Sequence, residues 1–248
     1  MYKIEKPFKR PSRWMLLLMI TGVLATGCSK DDDPIVEPEE TANTVAYYKL
    51  QRIENFLAPI DDANPTVTPA TVYFSLGTGK EVQAKYAKTA RWDIAFGGLY
   101  NSFLSGNNGK DATNFGGGSV GQGGILILEK PFAEVTDVPA DAQFRTGKNL
   151  IGTDNEGSFG EGIGWYLYDF GGDILGDQSY DKMHVAYALP ERRTVVLRTA
   201  KGDYAKIKMI SCYKDAFTPD KWFRNTPHMY FTFEYVIVPK GSTKFEVK

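Results

Sequence analysis

The feature that most restricts the fold of this chain is a series of short runs rich in aromatic and β-branched residues, each bounded by glycine or other turn residues. Several runs alternate with a period of two, which is typical of strands with one buried face. Residues 43–57 fit either a helix or an opening strand. The sequence therefore predicts one mostly β domain. The predicted strands cover residues 71–76, 81–87, 91–96, 124–129, 164–170, 193–199, 204–213 and 229–238.

Glycine is concentrated in the connections between these runs. We expect long glycine-rich loops within residues 97–124 and 147–184, and a hairpin turn at Gly202 and Asp203. Rigid sheets usually carry their function on connecting loops, so these loops are the candidate location of a site.

One loop contains a possible catalytic motif, because Gly117–Gly121 match G-x-S-x-G around Ser119. A nucleophile elbow needs a strand before the serine and a helix after it, whereas glycines precede Ser119 and a strand-like run follows. A phosphate-binding loop would need a Gly-Lys-Ser/Thr ending and a following helix. The pattern favours a loop that needs positive φ or close backbone approach. Ser119 is the only basis for an enzyme, and we expect none.

The N-terminus has the pattern of an exported lipoprotein. Five basic residues precede the uncharged run Met15–Ala25, which is shorter than the about 20 residues of a membrane span. Cys28 follows small residues, as in a bacterial lipobox, and the acidic "SKDDD" after it resembles an export signal for the outer leaflet. The alternatives are an ordinary cleavage site or core helix, and a solvated linker. We predict a signal peptide over 1–27, lipidation at Cys28, an acidic tether over 28–44 and a β domain over 45–248.

Charge argues against a nucleic-acid partner. The chain has a net charge of −1. Loss of residues 1–27, which contain five basic residues and one glutamate, would leave about −5. Membrane association is then expected only through the lipid. If Cys28 is lipidated, Cys212 is the remaining cysteine, and its strand-like surroundings predict a buried, inert thiol.

The chemistry that stands out is the pairing of each of the two downstream histidines with a methionine, in Met183–His184 and His228–Met229. No HExxH or CxxC spacing exists, so a zinc site made by protein ligands alone is not predicted. Imidazole and thioether are both axial ligands of haem iron, which makes His184 a candidate iron ligand. His228 opens the last strand and is expected to be structural.

Carboxylates are also frequent along residues 153–181. They could hold calcium, but the spacing of an EF-hand is missing. We expect these side chains to be a solvated loop surface.

Four segments together resemble the HmuY-like haem-binding lipoproteins, over roughly residues 70–238. The resemblance implies a single antiparallel β domain that captures haem outside the cell and passes it to a TonB-dependent outer-membrane receptor. The anchored protein would then face the cell exterior. The segments are "RWDIAFGG", "GGILILEKPFAEVTDVPAD", "RRTVVLRTAKGDYAKIKMISCYKDA" and "FTFEYVIVP".

Members of that family hold haem by two axial ligands, histidine or methionine, on neighbouring central loops. The stretch before "RRTVVLRT" matches one such loop and contains Met183 and His184. The other loop matches residues 152–162, which contain neither residue type. Aromatic walls could come from Trp165, Tyr166, Tyr168 and Phe170. The alternative is a module of the same fold that binds a glycan, a peptide or a partner protein.

Overall fold

The computed structural model describes residues 43–248, and within them the chain forms β-strands and short 3₁₀ helices but no α-helix. The predicted signal peptide, Cys28 and nearly all of the predicted tether lie outside the described residues. The strands are β1 Gln51–Leu57, β2 Val72–Ser75, β3 Lys80–Val82, β4 Ile94–Gly97, β5 Phe103–Gly106, β6 Gly124–Leu128, β7 Tyr166–Asp169, β8 Val185–Ala188, β9 Thr194–Arg198, β10 Tyr204–Tyr213 and β11 His228–Val238. The 3₁₀ helices are Ala84–Tyr86, Leu99–Asn101, Phe132–Glu134, Asp141–Gln143, Tyr180–Lys182 and Pro219–Lys221.

The strands form three antiparallel groups. One sheet has the order β1-β11-β10-β9-β6, a second has the order β3-β2-β4-β5, and β7 and β8 form a separate hairpin. This confirms the mostly β, antiparallel prediction. None of the helices in residues 43–248 has the length and apolar character of a membrane span.

Aromatic side chains join the two larger sheets. The Phe96 ring of β4 lies 4.5 Å from the Phe231 ring of β11, and the rings of Phe74 and Phe233 meet edge to face at 5.5 Å. All four are buried. The β7–β8 hairpin joins this core through Trp165, whose ring lies 5.8 Å from Phe231. Aromatic pairs of this kind stabilise beyond their buried area by about 0.5–1.5 kcal/mol each.

Most strand predictions are confirmed, and the errors have local causes. The segment 43–57 supplies strand β1, and the bounds of β10 are those predicted. The second half of 81–87 is wrong as a strand, because Ala84–Tyr86 turn into a 3₁₀ helix. Strands β5 and β8 were missed, since four-residue strands made of small and mixed residues carry little periodicity.

The glycine-rich segment 97–124 is ordered by buried asparagines. Asn107 donates to the carbonyls of Thr89 and Trp92, at 2.9 and 2.8 Å. A Cβ at Gly116 would lie 2.1 Å from Asn107 Oδ1, so no larger residue fits there. The prediction of close backbone approach is therefore confirmed, and positive φ is found in this segment at Gly98 and Gly118.

The hairpin turn between β9 and β10 also follows the prediction. Gly202 has a φ of 95°, in the range that favours glycine. The Thr199 amide donates to the Asp203 carbonyl at 2.8 Å, which closes the turn.

A buried carboxylate links the two larger sheets at this end of the domain. Asp93 precedes β4, and its Oδ2 accepts the Leu76 amide after β2 at 2.8 Å. Its Oδ1 accepts the Ala200 amide after β9 at 3.1 Å. Burial raises the pKa of Asp93 to about 6, although these backbone hydrogen bonds oppose the rise.

We expect Asp93 to make folding more favourable in mild acid. Its folded-state pKa of about 6 lies above the ordinary value of 3.8, so the stabilisation is complete below 3.8 and is lost as pH rises through 6. In urea denaturation, the stability of the wild type relative to Asp93→Asn should be greater at about pH 5 than at about pH 7.5 by roughly 1 kcal/mol. A difference that is equal at both pH values, or larger at the higher one, would contradict this role.

Candidate ligand-binding site

The β7–β8 hairpin brings His184 beside Tyr168. His184 directly precedes β8, and its amide donates to the Phe170 carbonyl at 3.2 Å. In the ring, Nδ1 lies 2.8 Å from the Tyr168 hydroxyl, and the Phe170 ring meets the imidazole edge to face at 4.6 Å. His184 is half-buried and has a φ of 61°, a left-handed conformation that histidine adopts more readily than most residues.

Loop 152–162 places a further ring against this group. The Ser158 amide donates to the Tyr168 carbonyl at 2.8 Å, which docks the loop onto β7. Phe159 then lies 5.6 Å from the Phe170 ring and 6.3 Å from the Tyr168 ring, and 74% of it remains exposed. Its φ of 63° is uncommon for an aromatic residue. We call Phe159, Tyr168, Phe170 and His184 the aromatic cluster.

Sequence analysis missed Phe159. The loop contains neither histidine nor methionine, and a single phenylalanine among glycines has no period. The signal present in the sequence is a lone aromatic residue within a polar, glycine-rich loop.

Asp154 holds the base of loop 152–162. It is fully buried, and its Oδ2 lies 2.8 Å from Nη2 of Arg193, which precedes β9. The same oxygen accepts the Gly164 amide at 3.1 Å. The expectation of a solvated carboxylate is wrong here, because the buried arginine compensates the charge.

Asp169 orders the loop that follows β7 and is also fully buried. Its two oxygens accept backbone amides from four consecutive residues at 2.9–3.1 Å, so solvation was again the wrong expectation. Burial acts to raise the pKa of Asp169, but these hydrogen bonds outweigh it and the net shift is downward. The donors are Asp173, Ile174, Leu175 and Gly176.

Met183 lies next to His184 at the end of the 3₁₀ helix Tyr180–Lys182. It is half-buried, and its amide donates to the Tyr180 carbonyl at 3.3 Å. Of the predicted aromatic walls, Trp165 and Tyr166 belong to the core, whereas Tyr168 and Phe170 belong to the aromatic cluster.

His228 occupies a different environment. It is the first residue of β11, its Nε2 lies 3.1 Å from Asp62 Oδ1, and its Nδ1 lies 3.3 Å from the Thr226 carbonyl. Both ring nitrogens have protein partners. His228 is therefore less suited than His184 to hold a metal.

The electrostatics favour a neutral His184. Burial and the nearby charge of Arg224 lower the pKa of this imidazole below its ordinary value of 6.5. Burial raises the pKa of Tyr168, so its hydroxyl stays protonated. If Nδ1–H donates to the Tyr168 oxygen, Nε2 keeps the lone pair that a metal requires.

Other types of site are not supported. Within residues 43–248 no group of three or more His, Cys, Asp or Glu side chains is placed to hold a metal ion, and this includes the carboxylates of 153–181. Ser119 accepts the Gly121 amide at 3.1 Å in a turn, and neither a preceding strand nor a following helix is present. Cys212 is buried, as predicted, and burial raises the pKa of its thiol to about 12.

Two cavities occur elsewhere in the described part of the chain. One of about 20 Å³, lined by Asp93 and Asp203, has room for about one water molecule. The other is an open groove of about 330 Å³ beside Trp222. Neither is lined by Met183 or His184. The aromatic cluster lies at the surface, since Phe159 and Phe170 are exposed.

The donor set can be tested against haem. An imidazole with one nitrogen oriented by a hydroxyl and the other free to coordinate fits an axial ligand. Exposed rings beside it fit the apolar face of a porphyrin. Loop 152–162 contributes a phenyl ring and no iron ligand. The residues present therefore fit coordination of the iron from one face of the porphyrin only.

A model of the HmuY protein family matches residues 68–235 of the chain. The chain belongs to the HmuY family. This is a family of binding proteins associated with haem rather than a family of enzymes. The match includes both loops of the aromatic cluster and the β7–β8 hairpin of this HmuY-family chain.

A solved structure is also similar. The crystal structure of a Tannerella forsythia apo HmuY analog (TFO) has 13% sequence identity and a TM-score of 0.39, and the match covers 77% of this chain and 96% of that chain. None of the curated proteins compared with this HmuY-family chain matches it.

We expect Asp169→Asn to loosen the loop after β7, because an amide cannot accept all four backbone hydrogen bonds as well as a carboxylate does. The free energy of unfolding should fall by on the order of 1–3 kcal/mol. Hydrogen exchange at residues 173–176 should become faster. The exposed Asp173→Asn is the matched control and should change neither quantity. Unchanged exchange in Asp169→Asn would contradict the role of this carboxylate.

Proposed function

We propose that this HmuY-family chain binds haem at the aromatic cluster, with Nε2 of His184 as an axial ligand of the iron. The observation that carries the proposal is the 2.8 Å contact between His184 Nδ1 and the Tyr168 hydroxyl. A partner on Nδ1 fixes the ring orientation, and when Nδ1–H donates to that partner, Nε2 is left with its lone pair and becomes a better electron donor. Haem supplies an iron centre that accepts axial imidazole or thioether ligands.

The exposed rings support the same location. Phe159 and Phe170 are 74% and 45% exposed, and they contact each other and the His184–Tyr168 pair. Exposed apolar patches that are held in place usually mark a binding site. Burial of this patch against a flat porphyrin would remove it from water.

Met183 is the neighbouring soft donor and can replace His184 rather than complement it. Consecutive Cα atoms are about 3.8 Å apart, so two adjacent residues cannot reach both faces of a planar ring. Loop 152–162 contributes Phe159 to the cluster, and a phenyl ring cannot coordinate iron. The proposed arrangement therefore has a single axial ligand from this chain, His184, with Met183 as the alternative.

The proposal extends to the cell surface. Cys28 would carry the lipid that anchors the protein to the outer membrane, residues 28–44 would form the tether, and residues 45–248 would face the cell exterior. A ligand held on exposed loops is accessible to a second protein, and a TonB-dependent outer-membrane receptor is the proposed acceptor of the haem. Family membership and the N-terminal pattern support this part.

A second candidate function is binding of an apolar ligand or a partner protein. The groove of about 330 Å³ supports it, since Leu189, Pro190, Ile210, Phe217 and Trp222 are among its lining residues. Its volume falls at the lower end of small-molecule sites. A protein that uses only this groove would have no haem affinity that depends on His184.

We expect haem titration of residues 45–248 to give a Soret shift at a 1:1 ratio. His184→Asn removes the imidazole but tolerates the positive φ, and it should weaken binding at least tenfold and change the spectrum of any residual complex. His228→Asn is the matched control and should bind as the wild type does. Met183→Leu should have a smaller effect than His184→Asn. Equal haem affinities for the wild type, His184→Asn and Met183→Leu would contradict the proposal.

Haem affinity should also depend on pH in a defined direction. The imidazole coordinates only when neutral, and its pKa lies below 6.5. Affinity is therefore expected to be constant down to about pH 6.5 and to decline in more acidic solution as His184 takes up a proton. Titrations of wild type and His184→Asn at several pH values would test this, and a decline of equal size in both proteins would assign the effect to another group.

A further inference from the structure

Arg224 lies beside the aromatic cluster and is held there by two contacts. Its amide donates to the Asp181 carbonyl at 2.8 Å, three residues before His184. Its guanidinium carbon lies 4.7 Å from the centre of the Tyr180 ring, which is 65% exposed. Stacking on an aromatic face limits the orientations of the guanidinium plane.

Within residues 43–248, no carboxylate forms an ion pair with the guanidinium of Arg224. The ion pairs within residues 43–248 engage Arg52, Arg192, Arg193 and Arg198, but none involves Arg224, which is half-buried. Its charge nevertheless acts on the cluster, since it lowers the pKa of His184 and works against the rise in the pKa of Tyr168. A planar fork of donors without a partner is suited to a bidentate carboxylate.

The neighbouring cation has other partners. Lys182 Nζ donates to the Trp222 and Pro219 carbonyls at 2.8 and 3.2 Å, and it lies 3.9 Å from the centre of the Phe223 ring. Its donors stabilise the 217–224 segment. Arg224 is therefore the cation at this edge of the cluster whose guanidinium remains available to an anion.

We propose that Arg224 binds a propionate carboxylate of the porphyrin and so sets the rotation of the ring about the His184–iron axis. The inference rests on the proposed haem function. The carboxylate edge of the porphyrin would point toward Tyr180 and Arg224, and the apolar edge toward Phe159. Arg224 acts here as a positioning residue, because it touches the ligand but not the iron.

The test compares three porphyrins that differ in one group each: haem, its dimethyl ester, in which the carboxylates are blocked, and metal-free protoporphyrin, which keeps the carboxylates. Affinities are measured by absorbance and by quenching of tryptophan fluorescence. Arg224→Gln should bind haem and metal-free protoporphyrin roughly tenfold more weakly than the wild type, and should bind the ester equally well. Arg224→Lys should weaken binding of haem and metal-free protoporphyrin by less than Arg224→Gln does.

The controls separate this inference from the haem proposal. His184→Asn should weaken binding of haem and the ester but not of metal-free protoporphyrin, which is the opposite pattern. The exposed Lys221→Gln, three residues from Arg224, should change none of the affinities. Urea denaturation without ligand should show that Arg224→Gln is as stable as the wild type.

Two results would overturn the inference. If the wild type binds haem and Arg224→Gln binds it equally tightly, the carboxylate contact is absent while the haem proposal stands. If Arg224→Gln weakens binding of the ester as strongly as binding of haem, the residue acts on the shape of the site and not on the carboxylates. Absence of any haem binding by the wild type would overturn both proposals.

Discussion

The packing of aromatic rings between the two larger sheets is the constraint on which the candidate site depends. Phe96 meets Phe231 at 4.5 Å, and Trp165, just before β7, meets Phe231 at 5.8 Å. Because interiors pack as densely as crystals, a hairpin joined to this core has little freedom to shift. The β7–β8 hairpin therefore holds Tyr168 and His184 at hydrogen-bond distance.

Buried carboxylates hold the two loops of the site in place. Asp154 pairs with Arg193 at the base of loop 152–162, and Asp169 accepts four backbone amides in the next loop. A buried charge is tolerated only where hydrogen bonds or an opposite charge compensate it, so each carboxylate specifies one loop conformation. The same loops carry Phe159, Phe170 and the segment that leads to His184.

Part of the site could be predicted from the sequence. The pair Met183–His184 was found because two uncommon donor types stand side by side, which a linear pattern can show. Phe159 was missed because its contact with Phe170 joins two loops that only the fold brings together, and because a left-handed φ leaves no trace in composition. The burial of Asp154 was also unpredictable, since its partner Arg193 lies 39 positions along the chain.

The sequence by itself determined the mostly β class and most of the strands, because period-two alternation and turn residues act over a few neighbouring positions. It also contains the N-terminal lipoprotein pattern and the donor types available for a ligand. The tertiary structure alone decided which residues share one surface: Phe159 beside Phe170, Tyr168 on Nδ1 of His184, and Arg224 stacked on Tyr180. The physical reason is that each of these contacts depends on packing and compensated charge between distant segments, which no local pattern encodes.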